Sequence, residues 1–410
     1  MKSIKHYESM ITNKSTSSVI FRDNMDMPIH RWFHYAEGFS NEFVNSCLEQ
    51  NNVLPGDLVY EPFMGSGTVG VSAKLKGIDA IGVELSPLMY FVSSIKNNFE
   101  TYEIENIEHL KEKFTLPIKT TLQPPKFLKN EKHFDVNILE RILCIKEAVW
   151  KLPDVKEKDI FKLAFANILL KSSNAKRIPS FGYKKKSNLD TSLPIDLFNE
   201  LLEMIVKDIK RMKKSKLGNV EIVKGDSRQM HFKEDIANIA ITSPPYANGI
   251  DYVTDYQLEM GWLELIDVDS RRLLRDGMVA YDKTRVKILR DFYNTKDYYD
   301  EENLMTVVKE LEGISKDYWK KDIHLVVLKY FNDMYEVFMN TYNILKKDAK
   351  FILVLGDSLF KDVYVPADLL LAIMGEKVGF TIEAIELARD RYSGQNRSFR
   401  LRETILTLKK

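Results

Sequence analysis

Cysteine is nearly absent: Cys47 and Cys144 are the only two in 410 residues. They lie far apart and neither belongs to a CxxC pair. A disulfide framework and a Cys-rich zinc site are therefore excluded, and a reducing, cytoplasmic setting is expected. No apolar run approaches the roughly 20 residues that a bilayer crossing needs. The opening MKSIKHYESMITNKSTSS lacks the apolar segment of a signal peptide. The histidines, His30 and His34 among them, have no carboxylate or cysteine at ligand spacing, so no metal is expected. A large charge of one sign is missing as well, the formal net charge being +1.

What remains is ordinary for a globular chain, with 44% hydrophobic and 29% charged residues. The length exceeds one average domain and points to one large core with an insertion or second lobe. Charge is unevenly placed: KDIKRMKKSK (207–216), Lys184 to Lys186, and Arg389, Arg391, Arg397, Arg400 and Arg402 form basic groups. Such clusters matter more than net charge for a polyanionic partner, although each is also compatible with a solvated surface.

Residues 58–61 (LVYE) are a short apolar run ending in the turn PFMGSG. An amphipathic stretch from Thr68 to Lys76 follows and stops at Gly77. DAIGVE (79–84) repeats the strand pattern, and Ser86 with Pro87 marks the start of a further helix. This alternation builds a doubly wound parallel sheet. It breaks from about 97 to 216, where helices are expected over 137–152 and 159–171. Strand patterns resume at 220–226 and 236–246, and a second helical tract covers about 253–346. KFILVLGDS (350–358), a helix after Pro366, and the runs GFTIEAIELA and RETILTLK close the chain. The expected organisation is an N-terminal arm and half-sheet (1–96), a helical insertion (97–216), a catalytic half-sheet (217–262), a second helical tract (263–346) and closing strands (347–410).

The turn Glu61-Pro62-Phe63-Met64-Gly65-Ser66-Gly67-Thr68 sits between strand and helix, where glycine lets the backbone approach a ligand. No Lys-Ser/Thr follows the glycines, which argues against a P-loop, and GxGxxG is absent. Glu84 ends the next strand and can accept both hydroxyls of a ribose. Asp226 ends the third and can accept from an adenine amine. Acids at three successive strand ends describe a pocket for an adenosine with a cationic tail, S-adenosylmethionine rather than NAD.

Ile241-Thr242-Ser243-Pro244-Pro245-Tyr246 carries the chemistry. Its two prolines fix an extended turn at the mouth of the sheet. An amine attacking a methyl sulfonium needs acceptors for its N–H protons, which the Ser243 hydroxyl and the Pro244 carbonyl can supply. Tyr246 can stack on a base that has left a duplex.

These two segments resemble the DNA amino-methyltransferases, whose motifs read (D/E)PF-x-G-(S/T)-GT and (D/N/S)PP(Y/F/W). The resemblance covers the sheet core, about half the chain. It implies a class I Rossmann-like α/β fold with a seven-stranded, mostly parallel sheet whose last strand is antiparallel, interrupted by helical insertions. It also implies that Glu61, Pro62, Phe63, Gly65, Ser66, Gly67, Thr68, Glu84, Leu85, Ser86, Asp226 and Ser227 bind S-adenosylmethionine, and that Ser243, Pro244, Pro245 and Tyr246 perform the transfer. TSPPY resembles the cytosine-N4 form, and adenine-N6 is the alternative. The cofactor motif precedes the catalytic one, unlike the permuted order of many cytosine-N4 enzymes.

Lys184, Lys185, Lys213, Lys214, Arg271 and Arg272 are the expected contacts to double-stranded DNA. Which helical tract reads the target stays open between 97–216 and 253–346. Asp251, Tyr252 and Tyr256 either shape the base pocket or pack the next helix. HRWFHYAEGFS (30–40) either closes over the cofactor, as the resemblance implies, or joins the core. A cognate restriction endonuclease is a partner by analogy with the family alone. C5-cytosine chemistry would need a cysteine nucleophile near the proline turn, and none is there. RNA or protein-glutamine amino-methylation shares the PPY logic but usually uses NPPY. A non-catalytic DNA-binding scaffold is the rival from another class, set against two intact motifs.

Overall fold

The computed structural model describes residues 3–13, 19–177, 181–184, 189–213, 216–247, 251–315, 318–393 and 399–410. Its main sheet has eight strands: β1 (Ile11–Asn13), β2 (Leu58–Glu61), β3 (Asp79–Glu84), β4 (Val220–Lys224), β5 (Ala237–Thr242), β6 (Leu345–Gly356), β7 (Thr381–Ser393) and β8 (Phe399–Lys409). In space they run β1-β7-β8-β6-β5-β2-β3-β4. β2, β3, β4, β5 and β6 are parallel to their neighbours in this set. β8 is antiparallel to both β6 and β7. The fold is thus the expected α/β Rossmann-like methyltransferase sheet, with one strand added at its edge. That strand, β1, pairs parallel with β7. Its three residues, ITN, are too few and too polar to signal a strand on their own.

Strand periodicity of two sends alternate side chains to opposite faces. Val59, Ile239, Ile241, Ile352, Val354 and Ile405 share one face with residues of the helices Asn41–Gln50 and Thr68–Leu75. Tyr60, Ala240, Phe351, Leu353 and Leu406 share the other with the helices Glu302–Ile314, Ile323–Ile344 and Ala367–Val378. Burial on both faces explains why LVYE and NIAIT read as nearly continuous apolar runs.

The tract from 97 to 216 is helical as expected. Its helices Val136–Lys151, Lys158–Lys171 and Leu193–Met212 share a core with Pro87–Asn97 and Gln257–Trp262. The insertion is therefore joined by packing to the helices Pro87–Asn97 and Gln257–Trp262 rather than held apart as a lobe. It also contains a small antiparallel ribbon, Ala175–Lys176 against Gly182–Tyr183. No described helix is long and apolar enough to cross a membrane.

β3 lies on one side of β2 and β5 on the other. The chain order reverses there, and the crevice at the carboxyl ends of these strands is where such sheets bind ligands. Glu61, Glu84, Asp226 and Ser243 stand at or just beyond the ends of β2, β3, β4 and β5.

Candidate active site

A cavity of about 910 Å³, its open mouth included, occupies that crevice. Of the twelve residues expected on the cofactor side, all line it except Gly67. Gly67 acts from behind: its φ is 84°, and a Cβ there would stand 2.4 Å from Asn97 Nδ2. The left-handed backbone and the missing side chain let the helix Thr68–Leu75 start tight against its neighbour. The next helix begins as expected, with the Ser86 hydroxyl accepting from the Met89 N–H and Pro87 in its first turn.

The two glutamates are buried and close enough to disfavour each other's charge. Glu84 accepts from the Gly65 and Ser86 N–H groups, both at 2.7 Å. Burial still pushes its carboxyl up to about 7 against this backbone stabilisation. Glu61 is 2% exposed, and its Oε2 has no hydrogen-bond partner among the described residues. Burial first, then the Glu84 charge, holds the Glu61 carboxyl well above the usual carboxylate range. An unpaired buried carboxylate is costly unless a cation joins it. The donor set therefore fits a ligand with a cationic end and hydroxyls, and does not fit a polyphosphate.

Asp226 lines the same cavity but is already engaged. Its carboxylate accepts from Arg228 Nε at 2.9 Å. Arg228 also reaches Asp333 at 2.9 Å and the Gly277 carbonyl. Asp333 in turn accepts from the Ala280 N–H at 2.9 Å. Asp226 is thus held in place by a clamp, both of its oxygens accepting from Arg228.

Ser243 and Pro245 face the first cavity. Ser243, Pro244 and Tyr246 face a second, of about 1740 Å³ with its open mouth. The two cavities share Glu37, Gly38, Phe39, Ser243, Tyr252 and Tyr256, so Ser243 stands where they meet. The Tyr246 hydroxyl donates to Glu403 Oε1 at 3.2 Å. The Arg391 guanidinium lies 5.1 Å from its ring centroid and donates to the Asp357 carbonyl at 2.8 Å. Burial, then the nearby Glu403 charge, raises the Tyr246 phenol beyond its ordinary value and keeps it neutral.

Tyr252 and Tyr256 line both cavities. Asp251 caps the short helix Tyr252–Asp255, which Tyr256 ends, accepting from the Thr254 N–H at 3.0 Å. The segment 30–40 divides: Tyr35, Glu37, Gly38 and Phe39 line the first cavity, and His34 the second. His30 is buried beside Lys96, where burial lowers its pKa and leaves it neutral. Tyr256 donates to Glu37 at 2.6 Å, and Arg177 packs 4.0 Å from its ring centroid while pairing with Glu259. Arg177, Arg228, Glu403 and Gly356 were not singled out as site residues from sequence. None stands in a local pattern that would have marked it.

The expected DNA contacts scatter. Lys184 is exposed at the second cavity. Lys213 lines neither cavity. It pairs with Glu103 at 3.3 Å, in the segment that leads by Gly218, packed on Ile78, into the start of β4. Arg271 donates to Gln257 at 3.0 Å and covers Phe127, and Arg272 is exposed on the same helix; neither lines a cavity described above. Lys185 and Lys214 lie outside the described residues. Among the described residues no His, Cys, Asp and Glu cluster could hold a metal.

No protein-family model matches the chain. It is similar along most of its length to type II methyltransferases. M.BsoBI of Geobacillus stearothermophilus is 26% identical, over 88% of this chain and 80% of the relative. M.AvaI of Nostoc sp. is 23% identical, over 90% and 83%. M.MvaI of Kocuria varians is 20% identical, over 85% and 81%. A solved SAM-dependent methyltransferase from Methanosarcina mazei aligns over 88% of this chain and 96% of that one, at 7% identity and a TM-score of 0.30, too loose to carry an argument. Sheet topology and paired motifs define a methyltransferase. With these relatives, the chain is a site-specific DNA methyltransferase.

Proposed function

We propose that the protein transfers the methyl group of S-adenosylmethionine to the N4 amine of a cytosine swung out of duplex DNA. The observation that carries this reading is the position of Ser243 at the junction of a cavity lined by acids and a second cavity lined by cations and aromatics. Glu61 would pair with the cationic methionine end of the cofactor, Glu84 would accept from its ribose and Asp226 from its adenine amine. The bound cofactor supplies an electrophilic methyl group on a sulfonium.

The protein's own groups do the rest. The Ser243 hydroxyl and the Pro244 carbonyl accept the two N–H bonds of the amine, drawing its lone pair out of the ring plane. Tyr246, its hydroxyl fixed by Glu403, offers a ring edge and face against the extruded base. No strong base is needed, because the methylated ammonium loses its proton readily after transfer. Cytosine is favoured by the TSPPY motif, and adenine N6 is the second reading. A cognate endonuclease extends the reading from the type II relatives.

Tritiated methyl transfer from S-adenosylmethionine to unmethylated duplex DNA tests the assignment. Ser243→Ala and Tyr246→Ala should lose most incorporation, on the order of 10²-fold or more, while cofactor binding by calorimetry stays near wild type. Undiminished incorporation in both variants would contradict it.

A further inference from the structure

Five cations line the second cavity: Lys176, Arg177, Lys184, Arg389 and Arg391. Three are committed within the protein. Arg177 pairs with Glu259 and donates to the Asp255 carbonyl at 2.8 Å. Arg389 pairs with Glu403, and Arg391 holds the Asp357 carbonyl and the Tyr246 ring. Lys176 and Lys184 are exposed, and neither has an ion-pair partner among the described residues.

Lys176 lies in the small ribbon and Lys184 directly follows its second strand, and the ribbon is anchored on each side. Lys176 pairs with Gly182 in its ladder. The Lys184 N–H donates to the Asn174 carbonyl at 2.7 Å, and the Asn174 N–H to the His133 carbonyl at 2.7 Å. The Tyr183 ring packs edge-on against His133 at 5.6 Å. Arg177, next to Lys176, is bolted to the helices that follow the catalytic turn. A fixed backbone thus presents two uncommitted ammonium groups at the mouth of the cavity that holds Tyr246.

We propose that Lys176 and Lys184 grip backbone phosphates of the DNA strand whose base enters the second cavity, making this ribbon, and not the 207–216 run, the strand-holding element. The inference rests on the DNA reading above. An extruded nucleotide carries its flanking phosphates to the cavity mouth, where compact cations on a rigid support meet them without further ordering. Lys213 lines neither cavity and pairs with Glu103 instead.

The test is fluorescence anisotropy of a short labelled duplex, titrated with salt, using the full chain. Each phosphate contact contributes about 0.9 to the slope of log K against log [salt]. Lys176→Gln/Lys184→Gln should lower the slope by roughly 2. Raising salt from about 50 to 200 mM would then weaken the variant about tenfold less than wild type. Lys213→Gln should keep the wild-type slope, and cofactor binding by calorimetry should be unchanged in every variant, showing intact folds. An unchanged slope in the double variant, or an equal loss in Lys213→Gln, overturns the ribbon while leaving the methyltransferase reading standing. A wild type that neither binds nor methylates duplex DNA overturns both.

Discussion

Glu61 and Glu84 set the energetics of the ligand-free site. The folded Glu84 carboxyl titrates at about 7 against 4.5 for an unperturbed group. Between those values the unfolded chain gives up this proton while the folded one keeps it. The contribution of Glu84 to stability therefore falls as pH rises past 4.5, and the loss is complete above about 7. Thermal denaturation of the ligand-free protein across that window should show a decline that is shallower in Glu84→Gln, which keeps only the share of Glu61 and the other buried carboxyls. A parallel pH dependence in the two proteins would refute the assignment. Glu61→Gln should raise the ligand-free melting temperature and abolish the further rise that S-adenosylmethionine gives wild type, since the variant keeps the shape and loses the cation's partner. Both glutamates were legible in the sequence, because each ends a short apolar run just before a turn. The asymmetry between them, one satisfied by backbone N–H groups and one orphaned, was not. It depends on how the Gly65 turn folds back onto Glu84.

At the scale of elements, the β7–β8 hairpin does more than close the sheet. It brings Arg391 and Glu403 to Tyr246, which precedes Glu403 by 157 positions. Space for this meeting comes from Gly356 at the end of β6, where a Cβ would stand 2.5 Å from Arg391 Nη2 and 2.6 Å from Tyr246 Cε2. Gly356→Ala should displace the tyrosine and lower turnover about tenfold or more, with cofactor affinity preserved. Calorimetry alongside a methyl-transfer assay checks this, and wild-type turnover would count against the packing argument. Each strand–turn–helix unit around residues 58–97 was readable because its signals are local: an apolar run, glycines, a capping serine. The hairpin's part in the site was not, since the tail reads only as a basic cluster. Folding commits Arg389 to Glu403 and Arg402 to Asp368, so most of that charge is spent on the protein itself.

At the scale of the whole molecule, Arg228 ties the sheet to the second helical tract. It joins the end of β4 to the Gly277 carbonyl at the end of the helix Val268–Gly277 and to Asp333 on the long helix Ile323–Ile344. The second helical tract thereby walls the acid-lined cavity through Gly277, Met278 and Val279. Arg228→Met leaves Asp226 without its counter-charge, while Asp333 keeps Lys329 at 2.7 Å and the Ala280 N–H, a loss of about 1–3 kcal/mol. It should lower the melting temperature by several degrees and raise the KM for S-adenosylmethionine more than it lowers kcat. An unaltered KM would show that the clamp is only structural. Sequence order foretold the sheet because β-α-β alternation survives insertion. It could not foretell which tract meets which cavity, because Arg177 and Glu259, 82 positions apart, meet only after both tracts have packed.

The central claim is that the acid-lined cavity presents a methyl donor to a DNA base amine at Ser243. Its most direct test is nucleoside mass spectrometry on unmethylated duplex DNA incubated with the protein and isotopically labelled S-adenosylmethionine. The account predicts labelled N4-methylcytosine. Labelled N6-methyladenine would keep the mechanism and overturn the base, and DNA without label beside an active control enzyme would contradict the claim itself.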